Sequence, residues 1–227
     1  ESLDIISKVS TKKILPDILR AYFSNFKPSS SIHVYKSPDY IYLIKDIFEK
    51  YPDAKVVHIY RDPRAVFSSQ KKNLTSNMKN TFINNPYTFS KVWKKVMHAD
   101  MKWRADSRFL SIKYEKLVLE HNSVLLEIGT FLGVTKTDLQ EGSSYSERIP
   151  SEQKHLHELV GKKPESSRIE GWTDEISQLE ISILQNQLSS EMQEYDYAKV
   201  VTSSYSFFRD IFTLAEYYYL RIRNILK

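Results

Sequence analysis

Apolar residues recur at helical spacing between Asp4 and Phe26, where Ile14, Ile18, Leu19 and Tyr22 share one face and Pro16 interrupts. Pro28 and Ser29 to Ser31 read as a loop, and Ser31 to Tyr35 (SIHVY) as a short β-branched and aromatic strand. Pro38 opens a helix with Ile41, Ile44, Ile47 and Phe48 on one side, ended by Tyr51-Pro52. Lys55 to Tyr60 (KVVHIY) carries the strongest strand pattern, and Asp62-Pro63 starts a helix with Ala65, Val66 and Phe67 inside. This alternation of strand and helix predicts an α/β fold with a parallel sheet.

Further on, Asn73 to Asn85 is polar and reads as a loop or loose helix. Thr88 to Arg104 is helical, with Val92, Val96 and Met97 as expected core positions. Phe109 to Lys113 (FLSIK) is a third strand, and Asn122 to Leu132 a helix stopped by Gly133. Residues 141–171 are polar and read as a long surface segment. Asp174 to Tyr195 is helical, with Ile176, Leu179, Ile183 and Leu184 on one side. Phe208, Ile211, Ala215, Tyr218, Ile222 and Ile225 line one face of a C-terminal amphipathic helix whose end carries Arg221, Arg223 and Lys227. That helix packs on its own domain or docks on a membrane surface or a partner. The expected organisation is a domain over residues 1–200 followed by a basic amphipathic tail over 201–227.

Composition narrows the function classes. The 227 residues are 41% hydrophobic and 13% aromatic, which excludes a wholly disordered chain. The chain contains no cysteine, so disulfides, cysteine-held zinc and a cysteine nucleophile are excluded. The six histidines show no metal-ligand spacing with carboxylates, and no metal is expected. A net charge of +5 permits an anionic ligand and is too small to argue for nucleic acid. Only five glycines occur, none before Gly129, where an average usage would place about 16 in the chain.

The chemistry concentrates in PDAKVVHIYRDPRAVFSS, residues 52–69. Arg61 lies at the carboxyl end of a strand, where open α/β sheets bind ligands. Its planar guanidinium matches phosphate oxygens. The first turn after Pro63 offers helix N–H groups to an anion. Ser69, eight residues beyond Arg61, lies about two turns into that helix, within reach of the same anion. The alternative is a strand-edge arginine paired with an aspartate and a serine without a role.

This segment resembles the 3′-phosphate-binding segment of sulfotransferases that use 3′-phosphoadenosine 5′-phosphosulfate (PAPS), closest to the branch of protein-tyrosine sulfotransferases and their bacterial relatives. Tyr35-Lys36-Ser37-Pro38 is similar to the family's Lys-x-Pro element, and Ile112 to Leu119 to its strand ending in Tyr-Glu-x-Leu-Val. Leu126 to Val134 resembles the helix and turn that follow, and Gly161 to Trp172 the late loop that closes over the nucleotide. The resemblance spans about residues 32–197.

What it implies is a three-layer α/β/α fold of the P-loop NTPase-like kind. It implies transfer of a sulfonate from PAPS to a hydroxyl or amine, with release of adenosine 3′,5′-bisphosphate. Lys36 would stabilise the sulfonate or leaving phosphate. Arg61 and Ser69 would hold the 3′-phosphate, Tyr114 the adenine side, Arg168 the 3′-phosphate, and Gly171-Trp172 the nucleotide's wall. The acceptor would be a protein tyrosine, a carbohydrate or a small molecule. Residues 1–35 contain no glycine and no Ser-Gly-Thr-like turn. The 5′-phosphosulfate loop and the usual glutamate base are therefore expected upstream of Glu1, with the chain as the larger C-terminal part of the enzyme. The expected compartment is the cytoplasm, with membrane contact through the tail, or the Golgi lumen in a eukaryote. Two competing readings are a nucleotide kinase of related topology and a non-catalytic interaction module on the same fold. A kinase should show a Gly-x-x-x-x-Gly-Lys loop and a Mg²⁺-holding aspartate, and neither is visible.

Overall fold

The computed structural model describes residues 32, 34–73, 83–134 and 165–202. The chain divides into two compact units, Glu1–Tyr40 and Ile41–Lys227. The helices expected at 4–26 and 207–227, the loop core at 74–82 and most of the segment 141–171 lie outside the described residues.

In the first unit, residues 34–37 are irregular and lead into a 3₁₀ helix, Pro38–Tyr42. The Ser37 hydroxyl accepts from the Asp39 N–H at 3.3 Å, a local turn that starts the helix. Of the strand expected at 31–35, residues 31 and 33 lie outside the described residues; at 32, 34 and 35 the expectation is corrected, for these are not in a strand and Val34 is 76% exposed. Strand propensity expresses fit to a partly buried pleated surface, and Ile32 and Val34 are both exposed.

The second unit begins with α1 (Ile44–Lys50), which buries Ile44 and Phe48 one turn apart. Next come β1 (Val56–Tyr60), α2 (Pro63–Asn73), α3 (Pro86–Trp103) and β2 (Phe109–Lys113). β1 and β2 pair in parallel, Val56 opposite Phe109 through Tyr60 opposite Lys113. A parallel pair requires a crossover, and α2 and α3 supply it. Asn85 caps α3 by accepting from the N–H groups of Tyr87 and Thr88, both at 3.0 Å, with Pro86 at the first position. The chain then runs through α4 (Tyr114–Leu119) and α5 (His121–Leu132). Gly133 ends α5 in the left-handed region at φ 75°, as its sequence position predicts.

After the next described residues come α6 (Ser167–Glu170), α7 (Trp172–Glu175), α8 (Gln178–Gln187) and α9 (Ser189–Glu194). The single helix expected over 174–195 is therefore three pieces. Ile176 is extended, and Ser177 starts α8 with a reciprocal capping box to Glu180. A serine that can cap competes with helix continuation. The apolar pattern still reports the core, because Ile176, Ile183 and Leu184 are buried. On α3 the inward stripe is Phe89, Trp93, Met97 and Asp100, which leaves Val92 on its flank, 39% exposed.

The main core joins α2, α3, α7, α8 and α9 through Phe67, Trp93, Met97, Trp172, Leu184 and Met192. β1 is only half-buried, and Ile59 is 50% exposed, so the strand does not read as buried on both faces. One carboxylate ties sheet to helix. Asp100, fully buried, accepts from His58 Nδ1 at 2.6 Å, Ser111 Oγ at 2.5 Å and the Tyr195 hydroxyl at 2.6 Å. His58 and Ser111 are opposite each other in the ladder, so one acceptor serves both strands. His58 is half-buried, with Asp100 as its partner.

Candidate functional site

The site forms where β1 runs into α2. Asp62 is buried and caps α2: its carboxylate accepts the Arg64 N–H at 2.8 Å and its carbonyl the Val66 N–H at 3.0 Å. The same carboxylate takes the Arg64 guanidinium through two bonds, 3.0 and 2.6 Å. This corrects one expectation. The Arg64 N–H in the first turn of α2 is occupied by the protein's own anion, and Pro63 has no N–H to offer. The first two positions of α2 therefore offer no N–H to an outside anion.

Arg61 is a side chain placed to meet such an anion. Its guanidinium lies over the Tyr114 ring at 4.5 Å, and Nη2 donates to the Arg168 carbonyl at 2.5 Å. Its Nε is buried and has no hydrogen-bond partner among the described residues. A buried donor left unmet costs about 1–3 kcal/mol, more when charged, so this atom fits a site built for an added acceptor. A phosphate oxygen, which accepts in the plane of the guanidinium, satisfies it.

Glu115 fixes the turn that carries Arg61. One of its carboxylate oxygens accepts the Asp62 N–H at 3.0 Å, and the other accepts the Tyr197 hydroxyl at 3.0 Å. Tyr114 and Glu115 open α4 immediately after β2, so Tyr114 is helical rather than the last strand residue. The parallel register brings Tyr60 opposite Lys113, and hence Arg61 beside Tyr114. Burial, then the charge and hydrogen bond of Glu115, push the Tyr197 hydroxyl far above its ordinary range, so Tyr197 stays a donor.

The short helices α6 and α7 close one side. Arg168 on α6 has an exposed side chain and lends its carbonyl to Arg61. Gly171, between the two helices, is helical at φ −55°. A Cβ there would come to 3.3 Å from a Glu175 carboxylate oxygen, a tight contact that a small shift of that side chain relieves. Trp172 is buried, and one ring face receives the Arg64 guanidinium at 4.0 Å. Arg64 also donates to Gln185 at 2.8 Å, so Asp62, Arg64, Trp172 and Gln185 form one buried cluster under the site.

Arg61, Tyr114 and Arg168 are thus brought together. Ser69 is exposed on α2, while its neighbour Ser68 is buried and donates to Glu175. Lys36 belongs to the first unit, exposed in the irregular stretch before Pro38. Sequence reasoning gave no role to Glu115, Ser68, Glu175 or the Asp62–Arg64 pair. Glu115 stood inside the Tyr-Glu-x-Leu-Val match, and Asp62-Pro63-Arg64 has the spacing of a self-capping pair. Nothing local marks Ser68 or Glu175, which meet across 107 residues. Among the described residues, no group of three His, Cys, Asp or Glu side chains could hold a metal ion.

Residues 8–138, more than half the chain, match the sequence profile described as the sulfotransferase family. The chain belongs to the sulfotransferase family. Members of this family transfer a sulfonyl group from a donor to a hydroxyl acceptor. No curated protein and no solved structure matches the chain. The mixed helix–strand architecture with its parallel ladder agrees with the α/β sulfotransferase fold. The sulfotransferase match contains Lys36, Arg61, Ser69 and Tyr114 and stops before Arg168, Gly171 and Trp172. The last three enter the site only through the contact of Arg168 with Arg61 and the packing of α6 and α7 on α2.

Proposed function

We propose that this sulfotransferase takes its sulfonate from PAPS, delivers it to a hydroxyl or amine acceptor, and releases adenosine 3′,5′-bisphosphate. The observation that carries this reading is Arg61: a guanidinium at the carboxyl end of a strand, stacked on Tyr114, with a buried and unpartnered Nε. These features suit a doubly charged 3′-phosphate better than a neutral ligand. In this reading Arg61 and the exposed Arg168 side chain bind the 3′-phosphate, and the Ser69 hydroxyl donates to it. Tyr114 keeps the Arg61 guanidinium flat and borders the adenine, while Gly171 and Trp172 support the wall on the α6–α7 side.

Lys36 supplies positive charge at the transferring group. In the transfer an acceptor oxygen or nitrogen forms a bond to sulfur while sulfur separates from the 5′-phosphate oxygen. The acceptor's proton passes to a base, and the departing phosphate oxygen keeps the electron pair. Charge therefore grows on that oxygen, and a fixed ammonium lowers the barrier there.

Calorimetric titration of the full-length protein with adenosine 3′,5′-bisphosphate tests the reading. One-to-one binding that disappears in Arg61→Ala is expected. A folded protein that shows no heat of binding would overturn it.

A further inference from the structure

α6 and α7 have four residues each, too short to hold themselves together. Their place depends on what ties them to the rest of the unit. Trp172 and Ile176 pack them into the core and Arg61 holds the Arg168 carbonyl; Glu175, the last residue of α7, adds the side-chain tie to α2. One of its carboxylate oxygens accepts from the buried Ser68 hydroxyl and the other from Lys72 Nζ, both on α2. Gly171 leaves this carboxylate uncrowded, since a Cβ there would approach it to 3.3 Å. Burial raises the Glu175 pKa, but the bonds from Lys72 and Ser68 and the charges of Lys72 and Arg168 outweigh it and hold the carboxyl below its usual range. The carboxylate is therefore charged and within electrostatic reach of the Arg168 guanidinium on the preceding helix.

We propose that Glu175 is a positioning residue: anchored on α2 by Ser68 and Lys72, its carboxylate fixes α6 and α7 so that Arg168 is presented beside Arg61. The idea rests on the reading of Arg61 and Arg168 as 3′-phosphate ligands. It also divides the work of two adjacent serines. Ser69 faces outward, and Ser68 turns inward to hold the carboxylate that sets Arg168. Glu175 itself touches no ligand.

A double-mutant cycle read by calorimetry with adenosine 3′,5′-bisphosphate tests this in the full-length protein. Glu175→Gln, which keeps the shape and removes the charge, is expected to weaken binding about ten-fold. In an Arg168→Ala background the same change should add nothing, because Arg168 is the group through which Glu175 acts. An unchanged affinity in Glu175→Gln, an undiminished affinity in Arg168→Ala, or losses that simply multiply in the double variant would each overturn the proposal while the wild type still binds. Failure of the wild type to bind would instead remove the reading of the site itself. If Glu175→Gln does not fold, Ser68→Ala, which removes one anchor, takes its place in the cycle with the same expected dependence on Arg168.

Discussion

Arg61 donates from Nη2 to the carbonyl oxygen of Arg168 at 2.5 Å, joining residues 107 positions apart. The end of β1 and the late helix α6 thereby become one locus. The two arginines contribute differently: Arg61 is stacked, partly buried and incompletely bonded, whereas Arg168 gives its backbone to the contact and leaves its own side chain exposed.

Arg61→Lys should separate charge from shape. A lysine keeps the positive charge but loses the planar fork and the guanidinium stack on Tyr114. Bisphosphate affinity is expected to fall by roughly ten-fold or more, as measured by calorimetry. Tyr114→Phe should bind nearly as the wild type, and Tyr114→Ala more weakly by about 0.5–2 kcal/mol, the range for a cation–π contact.

The Asp62–Arg64 pair is buried, with side chains only 8% and 4% exposed. Removing one partner of such a pair strands the other charge, at a cost of about 3–5 kcal/mol. Arg64→Ala should therefore lower the urea midpoint sharply, with a further loss from the Trp172 face it uncovers. The double variant Asp62→Ala/Arg64→Ala should be less unstable than the sum of the two singles, which equilibrium unfolding will show.

Asp100→Ala takes the acceptor from His58 and Ser111, while the Tyr195 hydroxyl keeps the Met97 carbonyl at 3.1 Å. With two part-buried donors left unmet, at about 1–3 kcal/mol for a buried one, the variant is expected to lose about 2–3 kcal/mol. Tyr195→Phe removes only one donor from the network and should cost about 1 kcal/mol. Chemical denaturation of the two variants side by side checks the ratio.

The pH dependence of stability follows from the same groups. Burial raises the pKa of Asp100, but hydrogen bonds from His58, Ser111 and Tyr195 outweigh it and hold the carboxyl below its ordinary value; Glu175 and Glu191 are likewise depressed. A carboxyl depressed by folding contributes stability above its unfolded pKa, about 4, and that contribution is lost as pH falls through the folded value. Burial and nearby carboxylates raise Tyr60, Tyr195 and Tyr197. Their contribution is present below about pH 10 and is lost as pH rises beyond it, because the unfolded chain ionises first. Urea midpoints should stay flat between about pH 5 and 9 and drop on both sides, with a shallower alkaline drop in Tyr195→Phe.

The chain pattern alone determined the strands 56–60 and 109–113, the helix at Pro63, the cap at Gly133, and the local neighbourhood of Arg61 and Ser69. These depend on nearest neighbours: β-branched runs, a proline at a first turn, a glycine free to take positive φ. Tertiary structure decided what depends on partners. The residues 32, 34 and 35 had strand composition but no strand beside them among the described residues, and Ser177 broke one apolar run into separate helices by capping.

Within the site, sequence spacing could place an arginine and a serine eight residues apart. It could not tell that Asp62 would fill the helix end, that Tyr114 would lie under Arg61, or that Glu175 would reach Ser68. Those contacts arise because a parallel ladder and two short helices bring distant segments within a few ångströms, and such proximity is set by packing rather than by any local run of residues.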